Sequence, residues 1–209
     1  MQENIKKFFK NKNILITGGT GSFGRATTEY LLKTNPKKIV IFSRDELKQY
    51  HMQKDLNNKR LRYFIGDIRD RDRLNLAFRG IDIVIHAAAL KHVPKAEFDP
   101  SEFIKTNILG SENVINAALT NDVERVMFIS TDKAVNPINL YGSTKLCSEK
   151  LFVASNNIVG SRNIKFSISR YGNVINSRGS LLPLIHEKKK NKKNMSLTHK
   201  EMTRFFITL

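Results

Sequence analysis

Apolar residues in this 209-residue chain gather into short runs separated by stretches with helical spacing. Asn13-Ile14-Leu15-Ile16, Lys38-Ile39-Val40-Ile41-Phe42, Leu61-Arg62-Tyr63-Phe64-Ile65, Ile81-Asp82-Ile83-Val84-Ile85-His86, Arg125-Val126-Met127-Phe128-Ile129 and Lys165-Phe166-Ser167-Ile168-Ser169-Arg170 read as strands. Helical patterns lie between them, at 25–32, 70–79, from about Pro100 to Thr120, and from Tyr141 to about Ser155. Strands alternating with helices predict an α/β fold with a parallel, doubly wound, Rossmann-like sheet. Ligands of such sheets collect at the carboxyl ends of the strands, and each motif described below lies at one.

The first strand runs into Thr17-Gly18-Gly19-Thr20-Gly21-Ser22-Phe23-Gly24 and then into the helix-like 25–32. A G-x-x-G-x-x-G loop between strand and helix allows a tight turn and close backbone approach to a pyrophosphate, which the helix N-terminus attracts through free N–H groups. The second strand completes a βαβ unit, so the segment is read as a dinucleotide site. Its tip is Ser43-Arg44-Asp45-Glu46, with Lys48 one turn on. Asp45 sits near the position of the ribose-binding acid of NAD sites. Ser43 and Arg44 precede it, however, and Asp45-Glu46 suit the first turn of a helix, so the reading favours NADP. After the third strand, Asp67 can reach an adenine amino group and Ile68 can pack on the ring. After the fourth, Ala87-Ala88-Ala89 are small enough for a cofactor to lie against the backbone.

The fifth strand ends in Ser130-Thr131 and passes into Asp132-Lys133, followed by Tyr141-Gly-Ser-Thr-Lys145. Positions four apart share a helix face, so the Lys145 ammonium is expected beside the Tyr141 phenol, favouring its ionised form and making it a base for an alcohol proton. Asp132 and Lys133 add an acid and an amine to the same neighbourhood.

Composition changes little in this picture. With 40% hydrophobic residues the chain can bury one core, Cys147 is alone, and the five histidines show no metal spacing, His86 being expected as packed. No apolar run approaches the ~20 residues of a membrane span, residues 1–10 lack a signal-peptide core, and a cytoplasmic location is expected. Net charge of +17 raises the possibility of a nucleic-acid binder through Lys188-Lys189-Lys190-Asn191-Lys192-Lys193. The run is interrupted and has no interleaved aromatics, so a solvated loop is expected and no nucleic-acid partner.

The segments 14–24, 42–49, 64–70, 86–94, 130–153, 170–174, 177–180 and 202–209 together resemble the extended short-chain dehydrogenase/reductases, and within them the inverting UDP-N-acetylglucosamine 4,6-dehydratases of pseudaminic acid formation. Thr131-Asp132-Lys133 discriminates: epimerases of the superfamily lack this acid/base pair, and dTDP-glucose dehydratases carry Asp-Glu. Tyr141 is similar to the soluble branch, where membrane-bound relatives often have methionine. The resemblance implies that Tyr141, helped by Lys145, takes the sugar 4-hydroxyl proton, that Lys133 removes C5-H, and that Asp132 protonates the departing 6-hydroxyl. It implies cofactor contacts from Gly18, Thr20, Gly21, Ser22, Phe23, Gly24, Ser43, Arg44, Lys48, Asp67, Ile68, Ala87, Ala89, Lys91, Ser130, Tyr141 and Lys145. Contacts to a UDP-sugar substrate are implied for Lys91, Thr131, Asn173, Val174 and Arg178, while Asn176 stands where relatives have glycine. Residues 1–175 are expected to form the NADP domain with the catalytic residues, and 176–209 the start of a substrate region that relatives continue, with 202–209 beginning a helix and the full-length form a homo-oligomer. The alternatives are a non-catalytic NADP-binding fragment, a UDP-sugar epimerase or reductase, and the basic nucleic-acid binder.

Overall fold

A computed structural model of the chain describes residues 2–175, 177, 180–194 and 199–208. Six parallel strands form one sheet: β1 (Asn13–Thr17), β2 (Lys38–Ser43), β3 (Leu61–Ile65), β4 (Ile83–His86), β5 (Arg125–Thr131) and β6 (Lys165–Tyr171), in the order β3-β2-β1-β4-β5-β6. The doubly wound sheet expected from the sequence is therefore present. Its strand order reverses between β1 and β4, and crossover helices cover both faces: α2 (Ser22–Leu32) and α3 (Glu46–Leu56) on one, α4 (Arg71–Phe78), α7 (Gly110–Thr120) and α8 (Leu140–Ser155) on the other.

Strand periodicity of two sorts the core into these layers. Ile14, Ile16, Ile39, Ile41, Ile83 and Ile85 pack with Leu31 of α2 and Met52 of α3. The alternate positions Leu15, Val40, Phe42, Val84, Val126, Phe128 and Phe166 pack with Leu74, Phe78, Val114 and Phe152. Register aligns the carboxyl ends: Thr17 lies opposite Phe42 and His86, and Thr131 opposite Tyr171. The glycine loop, the β2 tip and the residues after β4 and β5 consequently open onto one edge.

Several elements depart from the sequence reading, among them the run expected as a solvated loop, whose Lys188, Lys189 and Lys190 form the last turn of a helix. A short helix α1 (Gln2–Phe9) precedes β1. Residues Pro100 to Thr120 are not one α-helix: α6 (Pro100–Phe103), preceded by α5 (Val93–Phe98), continues into a π-helical segment Ile104–Leu109 before α7. A π segment shifts the residues it carries around the helix axis, and Thr106 and Asn107 are its buried members. The helix expected over 202–209 is corrected: after α9 (Leu181–Lys190), Phe206–Ile207 form strand β8, paired in parallel with β7 (Asn173–Val174). Consecutive aromatic and β-branched residues at 205–208 favour extended backbone, and the N–H groups of Asn173 and Ile175 donate to the carbonyls of Phe205 and Ile207 at 2.7 and 2.9 Å. Phe205 and Phe206 stay exposed, as expected of an apolar end. Leu209 lies outside the described residues.

Phe152 couples α8 to the sheet. Its ring stacks on Phe128 at 4.6 Å between centroids and 6° between planes, with His86 at 5.8 Å and Phe166 at 6.0 Å. Phe152→Ala should cost ~3–5 kcal/mol of unfolding free energy; a urea-denaturation loss below about 1 kcal/mol would show that this stack does not hold α8 in place.

Candidate active site

The switch point between β1 and β4 is where two backbones nearly touch. Gly18 has φ +66°, and a Cβ there would meet Ala88 N at 2.8 Å, so the Ala87–Ala89 segment crosses directly over it. Ala87 N donates to Thr17 O and Ala88 N to Thr17 Oγ1, both at 3.2 Å. Gly24 is packed as closely, against Gly19 and Gly18 O. Gly21 differs: a Cβ on it would meet only Gly18 O, at 3.2 Å, and it stands as N-cap of α2 with no side-chain cap. That contact is looser than those at Gly18 and Gly24, and the bare α2 N-terminus it leaves is of the kind that draws a pyrophosphate. Thr20 and Ser22 flank it, and the Phe23 ring stacks on Tyr171 at 5.8 Å, tying the loop to the end of β6. The residues present therefore fit a dinucleotide.

At the β2 tip, Asp45 caps α3 by accepting from Lys48 N at 2.9 Å, and its carboxylate pairs with the Lys48 ammonium. The acid that an NAD site would use is thus engaged in its helix. Lys48 is engaged as well, so the cation expected from it is offset by Asp45. Arg44, half-exposed, stands loosely at 3.6 Å from Asp67. Ser43 is buried, its hydroxyl accepting from Gln49 Nε2 at 3.0 Å. Asp67 is gripped by Arg69 at 2.7 and 2.9 Å and by the Arg69 N–H at 2.9 Å. Burial works against its charge, but those bonds and the charges of Arg69 and Arg44 outweigh it and leave its pKa lowered. The Ile68 side chain is 4% exposed, lies in the core, and abuts the place where Gly110 lacks a Cβ.

The end of β5 seats α8. The Lys145 ammonium, buried, donates to Ile129 O at 2.7 Å and lies 3.9 Å above the Phe128 ring. The Ser130 hydroxyl donates its proton to the buried carboxylate of Glu149, at 2.5 Å from Oε1. Thr131 caps the short 3₁₀ turn Asp132–Ala134 that follows, its hydroxyl accepting from Lys133 N at 3.3 Å. Thr131 Oγ1 also donates to Asp132 Oδ1 at 3.0 Å, and Lys133 Nζ donates to Asp132 Oδ1 at 3.0 Å and Asn173 Oδ1 at 3.2 Å. Asn139 caps α8 by accepting from Gly142 N at 2.9 Å, and a Cβ on Gly142 would overlap Lys133 O. Helix start and acid/base turn are therefore held in mutual contact.

Burial first, then Tyr171 and Asp132, push the Tyr141 pKa up to about 12, with the Thr131 hydroxyl acting the other way. Lys145 shares its helix face and donates one hydrogen bond to Ile129 O, and burial brings its own pKa down to about 7 against the opposing charge of Glu149.

His86 is packed, as expected: Nδ1 lies 2.6 Å from Thr17 Oγ1 and Nε2 3.1 Å from Ser111 Oγ. Ser111 and Ser148 both donate to Asn107 O, while the Asn107 amide clasps Leu90 through N–H at 2.8 Å and C=O at 2.9 Å. The π segment thus fixes the chain between Ala89 and Lys91, which is exposed. Asn107, Gly142, Glu149 and Arg170 escaped the sequence reading; an asparagine two residues after a lysine in a helical stretch gives no period-based signal. Asn173 reaches the site through Lys133, Val174 is buried, and Arg178 and Asn176 lie outside the described residues. Among the described residues no group of three or more potential ligands could hold a metal ion, and no helix is long and apolar enough to cross a membrane.

A switch-point glycine loop joined to a strand-end acid, amine and Y-x-x-x-K pair defines a nucleotide-binding enzyme fold of the short-chain dehydrogenase/reductase type. Residues 14–209 match the family described as polysaccharide biosynthesis protein, and the chain belongs to it. It is 56% identical over 203 residues to a UDP-N-acetylglucosamine 4,6-dehydratase (inverting) of Campylobacter jejuni, covering 96% of this chain and 61% of that protein. It is 47% identical over 205 residues to a UDP-glucose 4-epimerase of Rickettsia prowazekii, covering 96% of this chain and 60% of the relative. The X-ray structure of Pen from Bacillus thuringiensis superposes with a TM-score of 0.94 at 42% identity, over 96% of this chain and 64% of that one. The chain thus spans about three-fifths of the length of the curated relatives it matches.

Burial holds the His86 imidazole neutral, its pKa lowered to about 3, with Lys145 adding to the effect. The folded state binds fewer protons than the unfolded one between about pH 3 and pH 6.5, so this contribution is present above 6.5 and lost as pH falls through that window. Stability should fall by up to ~1.4 kcal/mol per pH unit there, and His86→Asn should flatten the slope in chemical denaturation; an unchanged slope would contradict a neutral, buried imidazole.

Proposed function

We propose that these residues form the cofactor and catalytic part of a nucleotide-sugar 4,6-dehydratase acting on UDP-N-acetylglucosamine with inversion at C5, in pseudaminic acid formation and flagellin glycosylation. The observation that carries the reading is the hydrogen-bonded Asp132–Lys133 pair at the end of β5, its turn packed against Gly142 at the start of the helix that carries Tyr141 and Lys145. A bound nicotinamide dinucleotide supplies the acceptor and then the donor of the hydrogen that moves from C4 to C6 of the sugar. Tyr141 takes the proton of the 4-hydroxyl. Because burial raises its pKa to about 12, that step needs a neighbouring positive charge, and Lys145 one turn along α8 provides it. Once C4 is a ketone, C5-H is acidic, and Lys133 takes that proton as the amine, having passed its own proton to Asp132 along the 3.0 Å hydrogen bond that joins them. Asp132 gives a proton to the 6-hydroxyl as it leaves as water. Return of a proton to C5 from the opposite face inverts that centre, and no net oxidation results.

The cofactor in this reading is NADP. Asp45 is turned into its own helix and Arg44 is the half-exposed cation at the β2 tip. A charge-assisted bond from Arg44 to a 2'-phosphate is worth roughly 1.5–3 kcal/mol, and calorimetry should show Arg44→Ala losing most of the preference over NAD. Equal affinity of the unaltered chain for both cofactors would contradict the assignment.

Fold, glycine loop and Tyr141–Lys145 serve an epimerase equally well, and the Rickettsia relative bears that name. The acid/base turn distinguishes the readings, since epimerisation at C4 needs no base for C5-H. The chain fused to the segment of the Campylobacter relative beyond the match should convert UDP-N-acetylglucosamine to a 4-keto-6-deoxy product and wash C5-H out into D₂O. Lys133→Ala should stop that exchange, and Tyr141→Phe should stop C4 oxidation. A C4 epimer as product, or normal C5 exchange in Lys133→Ala, would overturn the dehydratase reading.

A further inference from the structure

Glu149 is a buried carboxylate one helical turn beyond Lys145, and the proton-handling scheme above gives it no part. Its side chain is 6% exposed, yet it is fully bonded: Ser130 Oγ donates at 2.5 Å, Arg170 Nε at 2.8 Å and Arg170 Nη2 at 2.5 Å. A carboxylate withdrawn from water this far is costly unless its charge is used. Surface attraction to Arg170 alone would not require burial, since Arg170 is half-exposed and could meet an acid at the rim.

The other charged groups around the two residues are few. Lys145 faces the neutral His86 of β4, the Phe128 ring of β5 and the carbonyl of Ile129. Tyr141 precedes Lys145 by one turn on α8 and is acted on by Tyr171 of β6 and by Asp132. Glu149 faces Ser130 of β5 and Arg170 of β6, with Lys150 at the rim of the same groove. Glu149 is thus the acidic group that acts on Lys145, and it raises the lysine's affinity for its proton while burial lowers it.

We propose that Glu149 is a positioning residue of this site: fixed by Ser130 and Arg170, it supplies the buried negative charge that keeps Lys145 protonated beside Tyr141. The inference rests on reading Tyr141 and Lys145 as the proton-handling pair. Arg170 then tunes the effect, because it draws on the same carboxylate from the outside.

This arrangement gives two substitutions opposite signs. In Glu149→Gln the amide oxygen can still accept from Ser130 but the charge is gone. In Arg170→Gln the carboxylate remains, bound by Ser130 and relieved of its competing cation. The test is ¹³C NMR titration of the Lys145 Cε in the unaltered chain and both variants, without cofactor or sugar, the signal assigned by its loss in Lys145→Met. Glu149→Gln should lower the midpoint by about one pH unit or more, and Arg170→Gln should raise it. A midpoint unchanged or raised in Glu149→Gln, or not raised in Arg170→Gln, overturns the proposal. A purely structural clamp would move both variants alike or neither. Should Glu149→Gln fail to fold, Arg170→Gln decides alone. No ligand is present in the titration, so its result stands apart from the C5-exchange assay: either can fail while the other holds.

Discussion

Two consecutive residues at the end of β5 hold the buried polar groups of α8. Ile129 offers a carbonyl to Lys145 and Ser130 a hydroxyl to Glu149. These partners lie one helical turn apart along α8 and one residue apart along the strand, so helix and strand must cross at a fixed place for both to be met. Phe152, one turn beyond Glu149 and stacked on Phe128, fixes that crossing from the apolar side. The acid/base turn inherits its position from the same junction, because Gly142 admits Lys133 O where any side chain would expel it.

Around that junction the site is assembled from parts that do not touch in sequence. The π segment brings Asn107 against Leu90 and under Ser148, so the chain after β4 is braced against α8. His86 links Thr17 below the glycine loop to Ser111 on α7. A buried polar chain of this kind fixes geometry only when each member is satisfied, and here the imidazole remains neutral because protonating it inside the core would cost too much. Lys145 and Glu149 are the complementary case, two buried ionisable groups one helical turn apart, tied to adjacent residues of β5.

Much of this was legible in the chain. Short apolar runs gave all six strands of the sheet to within two residues at each end, since β-branched clusters bounded by turn residues have few other folds. Gly18 and Gly24 were readable because only glycine tolerates such backbone contact. Ile68 was legible only as an apolar residue after a strand; that its side chain packs into the core depends on the missing Cβ of Gly110, which no local pattern reveals. The extended 206–207 segment depended on pairing with β7, a long-range partner that no local pattern reveals. Asn107, Glu149 and Arg170 were hidden for the same reason: their roles come from partners 17 to 41 positions away.

The central claim is that one strand-end junction places a dinucleotide site and a proton-handling helix against each other. A crystal structure of the chain with NADP tests it most directly. The account predicts the pyrophosphate over Gly21 at the start of α2, the 2'-phosphate at Arg44, and the nicotinamide ring beside Tyr141 and Lys145. A dinucleotide bound elsewhere, or a nicotinamide ring separated from α8, would contradict it.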